Sequence, residues 1–441
     1  MKYDLIIIGF GKAGKTLAAK AVELGKKVAL IEKNPQMYGG TCINIGCIPS
    51  KKLIMLSKEA KFHTDKKAYF KEAMSKKDTL IATLRAKNYA MLNDKENIDI
   101  IDGEASFLDS KTIKVVKSNK ETLTLTADKI IINTGSIDKK PEILANSDKI
   151  YTSKELLSLS ELPKHLVVVG SGFIGLEFAS MYANFGSKVS ILVRKDEFLP
   201  DEDDDIRDSI KQALNAQGIE ILLSTIPKSV QDDTMICSCK NEEITIKADA
   251  FLFATGRVPN TKELNLKAAS VSTNEREEIV VNEFLQTTNA DIYAVGDAKG
   301  GELFTYISLD DFRIVFSHLF GNKSRSTKNR TIHANVLFTD TPLAKVGVSE
   351  KMTKNAKVLK IPLSSVPNAK ILGKETGFLK AIIDQESREI LGAAFHCENA
   401  HELINEMAIV MQLKAKADVF KNQIFTHPST SEALNDLFAG A

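Results

Sequence analysis

Two hydrophobic rhythms alternate along this chain. Residues 3–8 form a nearly unbroken apolar run, of a length that suits a strand buried on both faces. It stops at Gly9-Phe10-Gly11-Lys12-Ala13-Gly14, amphipathic helical spacing follows, and a second run at 28–31 ends on Glu32. The same order returns downstream. A run at 166–169 leads into Gly170-Ser171-Gly172-Phe173-Ile174-Gly175, and another strand is expected at 189–193. Strand, glycine loop, helix and strand spell a parallel βαβ unit, so the chain predicts two doubly wound dinucleotide-binding α/β domains. Ile131-Ile132-Asn133-Thr134-Gly135 and Phe251-Leu252-Phe253-Ala254-Thr255-Gly256 read as the return strands that close them. Between the two loops the pattern predicts a Lys-rich helical stretch at 53–92 and strands at 98–107 and 112–129. Strands at 377–383 and 390–395 and a helix at 401–414 predict a C-terminal α+β piece.

The glycine loops carry chemistry. Glycines there allow a tight turn and let a pyrophosphate approach the helix N-terminus. Glu32 lies about 20 residues beyond the first loop, where a carboxylate bonds a ribose hydroxyl. After the second loop that place is taken by Val193, followed by Arg194 and Lys195. A 2′-phosphate wants cations where a 2′-hydroxyl wants a carboxylate. The expectation is FAD in the first site and NADPH, in preference to NADH, in the second. Gly175 weighs the other way, since many NADPH sites carry Ala there.

Composition narrows the class. With 441 residues, about three domains are expected. Lys plus Arg number 59 against 57 Asp plus Glu, and no basic tract offers a nucleic-acid footprint. No run of about 18 apolar residues predicts a membrane span, and the N-terminus runs into a strand without a signal-peptide pattern. An odd cysteine count, five, suits a reducing cytoplasm.

Cys42 and Cys47, in Gly39-Gly40-Thr41-Cys42-Ile43-Asn44-Ile45-Gly46-Cys47-Ile48-Pro49-Ser50-Lys51, are the sharpest feature. A metal site would need further ligands at suitable spacing, and none is near. A structural staple closing so short a loop adds about 2 kcal/mol, which a chain of this length does not need. Redox chemistry is the reading left, and it requires a loop or a distorted helix start between the two sulfurs, for which Gly46 and Pro49 are suited. Cys237 and Cys239 read as strand residues and Cys397 as a buried residue. The acidic run 201–205 reads as a solvated helix start, and the basic helix near 58–77 as a solvated face. No metal ligand set is assigned.

With these motifs in hand, the chain resembles the flavoprotein disulfide reductases, a family that includes glutathione reductase, dihydrolipoamide dehydrogenase and mercuric reductase. The resemblance rests on both glycine loops, the Cys42–Cys47 segment, Glu177, Gly296-Asp297 and His427-Pro428 with Glu432. GFGKAGKTLA, MYGGTCINIGCIPSK, FTYISLDDFRIV and IFTHPSTSEALNDLF look most like the bacterial reactive-chlorine resistance and hypothiocyanous acid reductase branch. The resemblance implies a glutathione-reductase-like fold: an FAD domain in two parts (1–148 and 265–334), an NAD(P)H domain (149–264) and a C-terminal α+β dimerisation domain (335–441).

It also implies roles. Gly9, Gly11, Gly14, Glu32, Thr41, Lys51, Gly135, Gly296 and Asp297 would hold FAD or close its domain, and Gly256 would close the NADPH segment. Gly170, Gly172, Phe173, Gly175, Arg194 and Lys195 would hold the nicotinamide nucleotide, with Phe173 where relatives often have a gating Tyr. Glu177 matches the acid that pairs with the motif lysine, Lys51. Cys47 would be the flavin-proximal sulfur and Cys42 the attacking one. His427, oriented by Glu432, would act as acid and base from the other subunit of a homodimer. The expected reaction passes electrons from NADPH through FAD to the disulfide and on to hypothiocyanous acid, a small-molecule oxidant. A general disulfide reductase, a copper(II) reductase and a non-catalytic flavin-binding redox sensor remain open alternatives. The chain ends Phe438-Ala439-Gly440-Ala441, without the cysteine pair usual at the end of mercuric reductases.

Overall fold

A computed structural model describes residues 1–139, 141 and 143–441. The chain divides into two compact units. The first comprises Met1–Lys52, Met74–Lys140 and Thr255–Arg330, and the second Leu53–Ala73, Pro141–Ala254 and Thr331–Ala441.

Strand β1 (Lys2–Ile8) leads into helix α1 (Lys12–Glu23) and strand β2 (Val28–Glu32). Two helices follow, α2 (Thr41–Asn44) and α3 (Cys47–Glu59), and then the long α4 (Lys66–Asn93). Strands β3 (Ile98–Asp102), β4 (Glu104–Phe107), β5 (Thr112–Val116) and β6 (Thr122–Ile132) complete the first run. The sheet order is β3-β2-β1-β6-β5-β4, and the later strand Ile292–Ala294 pairs with β6 to make seven. Strands β3, β2, β1 and β6 are parallel, with Ile8 opposite both Ile31 and Ile132. This register brings the ends of β1, β2 and β6 together beside the first glycine loop. Apolar side chains cover both faces of the parallel part, as its unbroken apolar runs require.

The expected single helical stretch at 53–92 is two helices. The break before α4 is capped by Asp65, whose carboxylate accepts the N–H of Ala68 at 2.9 Å. The strands expected at 98–107 and 112–129 are each divided as well, the first at Gly103 and the second by the turn before Thr122.

In the second unit a five-stranded parallel sheet runs Glu220–Leu222, Lys188–Leu192, His165–Val169, Ala250–Phe253, Ile150–Tyr151. The helix Phe173–Phe185 follows its glycine loop. Cys237 and Cys239 lie on the strand Thr234–Cys239, which pairs antiparallel with both of its neighbours in a four-stranded mixed sheet. The C-terminal segment is a five-stranded antiparallel sheet, Ala334–Leu337, Leu343–Gly347, Ile390–His396, Phe378–Asp384, Ala356–Pro362. The helices Ala400–Gln412 and Ala433–Phe438 pack on it, and Cys397 is buried in its core.

Two expectations are corrected here. The acidic run is not simply solvated. Asp203 and Asp205 bond the Nζ of Lys380 at 3.0 and 2.9 Å, Glu350 does so at 2.6 Å, and Lys380 is fully buried. Nor is the basic helix a uniform solvated face, since Lys77 is buried and Lys58 pairs with Glu398 at 3.0 Å. Among the described residues, no helix is long and apolar enough to cross a membrane.

Candidate active site

Cys42 lies in the first turn of α2, and Cys47 opens α3. The helix between them is interrupted at Ile45-Gly46, which is the distorted start that two sulfurs five residues apart demand. Gly40, at φ 80°, brings the chain into α2, and a Cβ there would strike the backbone of Gly11. Both cysteines are free thiols. The Cys42 thiol is raised well above the usual range. Its hydrogen bond with Cys47 is the largest cause, burial the next, and Thr305 and Lys15 oppose them. Cys47 Sγ lies 3.5 Å from the hydroxyl of Thr305, the first residue of the helix Thr305–Phe320.

Around the first glycine loop, Glu32 Oε2 accepts the N–H of Phe10 at 3.0 Å and Oε1 that of Asn34 at 3.1 Å. Burial pushes the Glu32 carboxyl up, and these N–H groups oppose the shift. A cleft runs past Gly9, Glu32, Gly103, Thr134, Asn260 and Leu264. A Cβ on Gly9, at φ 102°, would meet the carbonyl of Asn133. Thr41 Oγ1 is 3.7 Å from where a Cβ on Gly135 would stand. The two Thr-Gly turns are joined through the backbone: Lys139 N–H donates to Gly256 O at 3.0 Å, and Asn260 N–H to Gly135 O at 2.9 Å. Gly296-Asp297 reaches the same region, because Ser136 Oγ donates to Asp297 Oδ2 at 2.6 Å. Arg257 Nε in turn donates to Ser136 Oγ at 2.8 Å.

Two observations fit this region to FAD. The N-terminus of α1 carries no side-chain cap, leaving its N–H groups for a pyrophosphate. The hydroxyl of Thr134, buried at the cleft, has no hydrogen-bond partner among the described residues. The second loop fits a nucleotide in the same way. The helix Phe173–Phe185 begins at Gly172 without a side-chain cap, and a Cβ on Gly175 would strike the carbonyl of Gly170. Phe173 is exposed at that helix start. Arg194 and Lys195 are exposed just past the strand Lys188–Leu192, with Lys195 Nζ 3.4 Å from Asp201.

Glu177 is buried on the Phe173–Phe185 helix, where its Oε1 accepts the N–H of Phe338 at 3.1 Å. Lys51 lies half-buried on α3. His427 is exposed, its Nδ1 2.7 Å from Glu432 Oε2, and the His427–Pro428 peptide is cis. The hydrogen bond from His427 holds the Glu432 carboxyl below its usual range. With Nδ1 engaged, Nε2 is the ring nitrogen available for proton exchange.

Sequence reasoning missed three groups here. Thr305 stands within a segment already quoted for its resemblance, and its position at a helix start beside a sulfur was not drawn from that. Lys15 is buried on α1, its Nζ donating to the side-chain oxygen of Asn88. Asp311, with no exposed surface, accepts the N–H of Gly296 at 2.8 Å and pairs with Arg330 at 2.6 Å and Lys299 at 3.4 Å.

Comparison with known proteins gives the site its family. A family model for pyridine nucleotide-disulphide oxidoreductases matches residues 3–310, and the dimerisation domain of that family matches 333–438. The probable pyridine nucleotide-disulfide oxidoreductase RclA of Escherichia coli (strain K12) is 43% identical over 444 residues, covering 99% of each chain. A mercuric reductase of Lysinibacillus sphaericus is 33% identical, over 98% of this chain and 81% of that protein. The solved Cu(II) complex of the HOCl-induced flavoprotein disulfide reductase RclA from Escherichia coli superposes with a TM-score of 0.95, at 42% identity and full coverage of both chains. The chain thus belongs to the pyridine nucleotide-disulphide oxidoreductases, flavoprotein enzymes that use FAD with a pyridine nucleotide and dimerise through the C-terminal domain.

Proposed function

We propose that this enzyme reduces hypothiocyanous acid to thiocyanate in the cytoplasm, with NADPH preferred over NADH, as a defence against reactive oxidants. The observation that carries the reading is the Cys42 thiol hydrogen-bonded to Cys47 beside the Thr305 hydroxyl. A reactive sulfur backed by a resolving sulfur needs no large substrate pocket. The HOCl-induced character of the Escherichia coli relative also favours an oxidant substrate.

In this reading, residues 1–148 and 265–334 carry FAD, 149–264 the nicotinamide nucleotide and 335–441 the dimer contact. Gly9, Gly11, Gly14, Glu32, Thr41, Thr134 and Asp297 would hold FAD, with Lys51 beside the flavin. Gly170, Gly172, Gly175, Arg194 and Lys195 would hold the nucleotide. The chemistry supplied by the bound cofactors is transfer of an electron pair from reduced nicotinamide to the disulfide.

The chain's own residues do the rest. Cys42, deprotonated, attacks the sulfur of hypothiocyanous acid, so an S–S bond forms and the S–O bond breaks. Oxygen leaves as hydroxide and takes a proton from His427, which its own chain's Glu432 orients, the pair reaching in from the other subunit of the dimer. Cys47 then attacks the Cys42 sulfur, thiocyanate leaves, and the disulfide re-forms. Two electrons have passed from the thiols to the oxidant. Glu177 and Phe173 support the nicotinamide side.

Anaerobic turnover tests this: NADPH and NADH oxidation followed with hypothiocyanous acid, oxidised glutathione, lipoamide and copper(II). Fast turnover with hypothiocyanous acid, lost in Cys42→Ser, is expected. Preference for a disulfide would overturn the substrate and leave the flavoprotein chemistry standing. A second reading, reduction of copper(II), is favoured by one observation, the Cu(II) complex of the relative. Two copper ions would then take one electron each per dithiol oxidised.

A further inference from the structure

Lys15 is a buried cation without a carboxylate. Only 5% of it is exposed, and among the described residues no ion pair with Asp or Glu is found for it. Its hydrogen-bond partner is the neutral side chain of Asn88 on α4. Taking an ammonium out of water costs several kcal/mol unless a counter-charge is supplied. The position of Asn88 shows where that charge can come from. Its Cγ is 3.4 Å from where a Cβ on Gly39 would stand, so it packs under the loop that leads to Cys42. Lys12, on the same helix, disfavours the charged form of Lys15, whereas Cys42 favours it. Lys15 in turn favours the ionised form of Cys42.

We propose that Lys15 is a positioning residue of the redox pair: its ammonium is the counter-charge of the thiolate that appears when the Cys42–Cys47 disulfide is reduced. This rests on the reading of Cys42 and Cys47 as the redox centre. Reduction by the enzyme's nicotinamide, relayed through FAD, delivers two electrons. The S–S bond breaks, one proton is taken up, and one thiol and one thiolate result. A negative charge is then created beside the second thiol and the Thr305 hydroxyl, in a loop where the Tyr306 phenol is raised by burial first and then by Glu302 and Cys47. The ammonium offsets that charge, so reduction relieves an unpaired cation and Lys15 favours the ionised form of Cys42.

The test uses reduced holoenzyme, with iodoacetamide alkylation of Cys42 followed against pH in wild type, Lys15→Met and Lys15→Arg. The potential of the disulfide is measured by equilibration with dithiothreitol, and FAD content is measured on the same samples. In Lys15→Met the midpoint of alkylation moves up by about one pH unit, the potential becomes more negative, and FAD stays bound. Lys15→Arg restores the wild-type profile. Asn88→Asp, which gives Lys15 a competing carboxylate, shifts the midpoint the same way and serves if Lys15→Met does not fold. Superimposable profiles in a pair that still cycles between dithiol and disulfide would overturn the role of Lys15 alone. A wild-type pair that does not cycle would overturn the redox reading beneath it.

Discussion

The carboxylate of Asp311 accepts the backbone N–H of Gly296 at 2.8 Å. One helix, Thr305–Phe320, thereby touches the sulfur of Cys47 with its first residue and the turn before Asp297 with its second turn. Arg330 and Lys299 neutralise the buried carboxylate. Asp311→Ala should weaken FAD binding about tenfold and lower stability by about 3 kcal/mol, because it strands a buried arginine. Asp311→Asn keeps an acceptor for Gly296 and should lose stability with less loss of flavin. Flavin titration and urea unfolding check both.

Cys42→Ser should lower oxidant turnover about a thousand-fold or more, since the hydroxyl is a far weaker nucleophile at neutral pH. FAD content should not change. Steady-state kinetics beside the flavin absorbance decides it.

Removing Arg194 should raise the KM for NADPH about tenfold, equivalent to roughly one charge-assisted hydrogen bond, and leave that for NADH within about twofold. Equal effects on both nucleotides would mean that Arg194 does not read the 2′-phosphate.

Glu432→Gln should lower kcat about tenfold, since a neutral amide orients the imidazole less firmly and supports its cationic form less. The pH profile of kcat should shift with it, which distinguishes a catalytic effect from a folding one.

Lys380 ties together Asp203, Asp205 and Glu350. Burial raises Asp203, but the N–H groups of Lys351 and Glu350 and the Lys380 ammonium outweigh it, and the net shift is down. Asp205 is also lowered: burial opposes, and Lys360 and Lys380 prevail. Lys380 is penalised by burial yet raised to about 12 by its three carboxylates. Depressed carboxylates stabilise the fold above their unfolded value, about 3.9, and lose that contribution as pH falls through the folded value. The raised lysine stabilises below its unfolded value, about 10.4, and loses that contribution as pH rises through about 12. Lys380→Met should cost about 3 kcal/mol at neutral pH and lose less stability than wild type under acid, as thermal unfolding against pH would show.

The parallel strands and glycine loops were legible because both signals are local: an apolar run, then glycines that a close backbone approach requires. The α3–α4 break was not, because residues 60–65 contain neither Gly nor Pro, and the stop is marked by a single capping aspartate. The cysteine pair was legible for the same reason, its two sulfurs lying five residues apart, whereas His427 with Glu432 was read mainly from the family resemblance. Lys15, Asp311 and Lys380 were not. Lysine and aspartate read as solvent residues until the partner is known, and Lys380 finds Asp203 at a separation of 177 residues.

The short strands Ser136–Asp138 and Arg257–Pro259 pair antiparallel, and Arg257 bonds Asp138 across them. The chain on either side of residues 139–256 is thus held at one clasp. The stretch between closes as a loop whose two ends already lie side by side. Its length adds little to the entropy of closing the first unit, because that cost grows only with the logarithm of loop length.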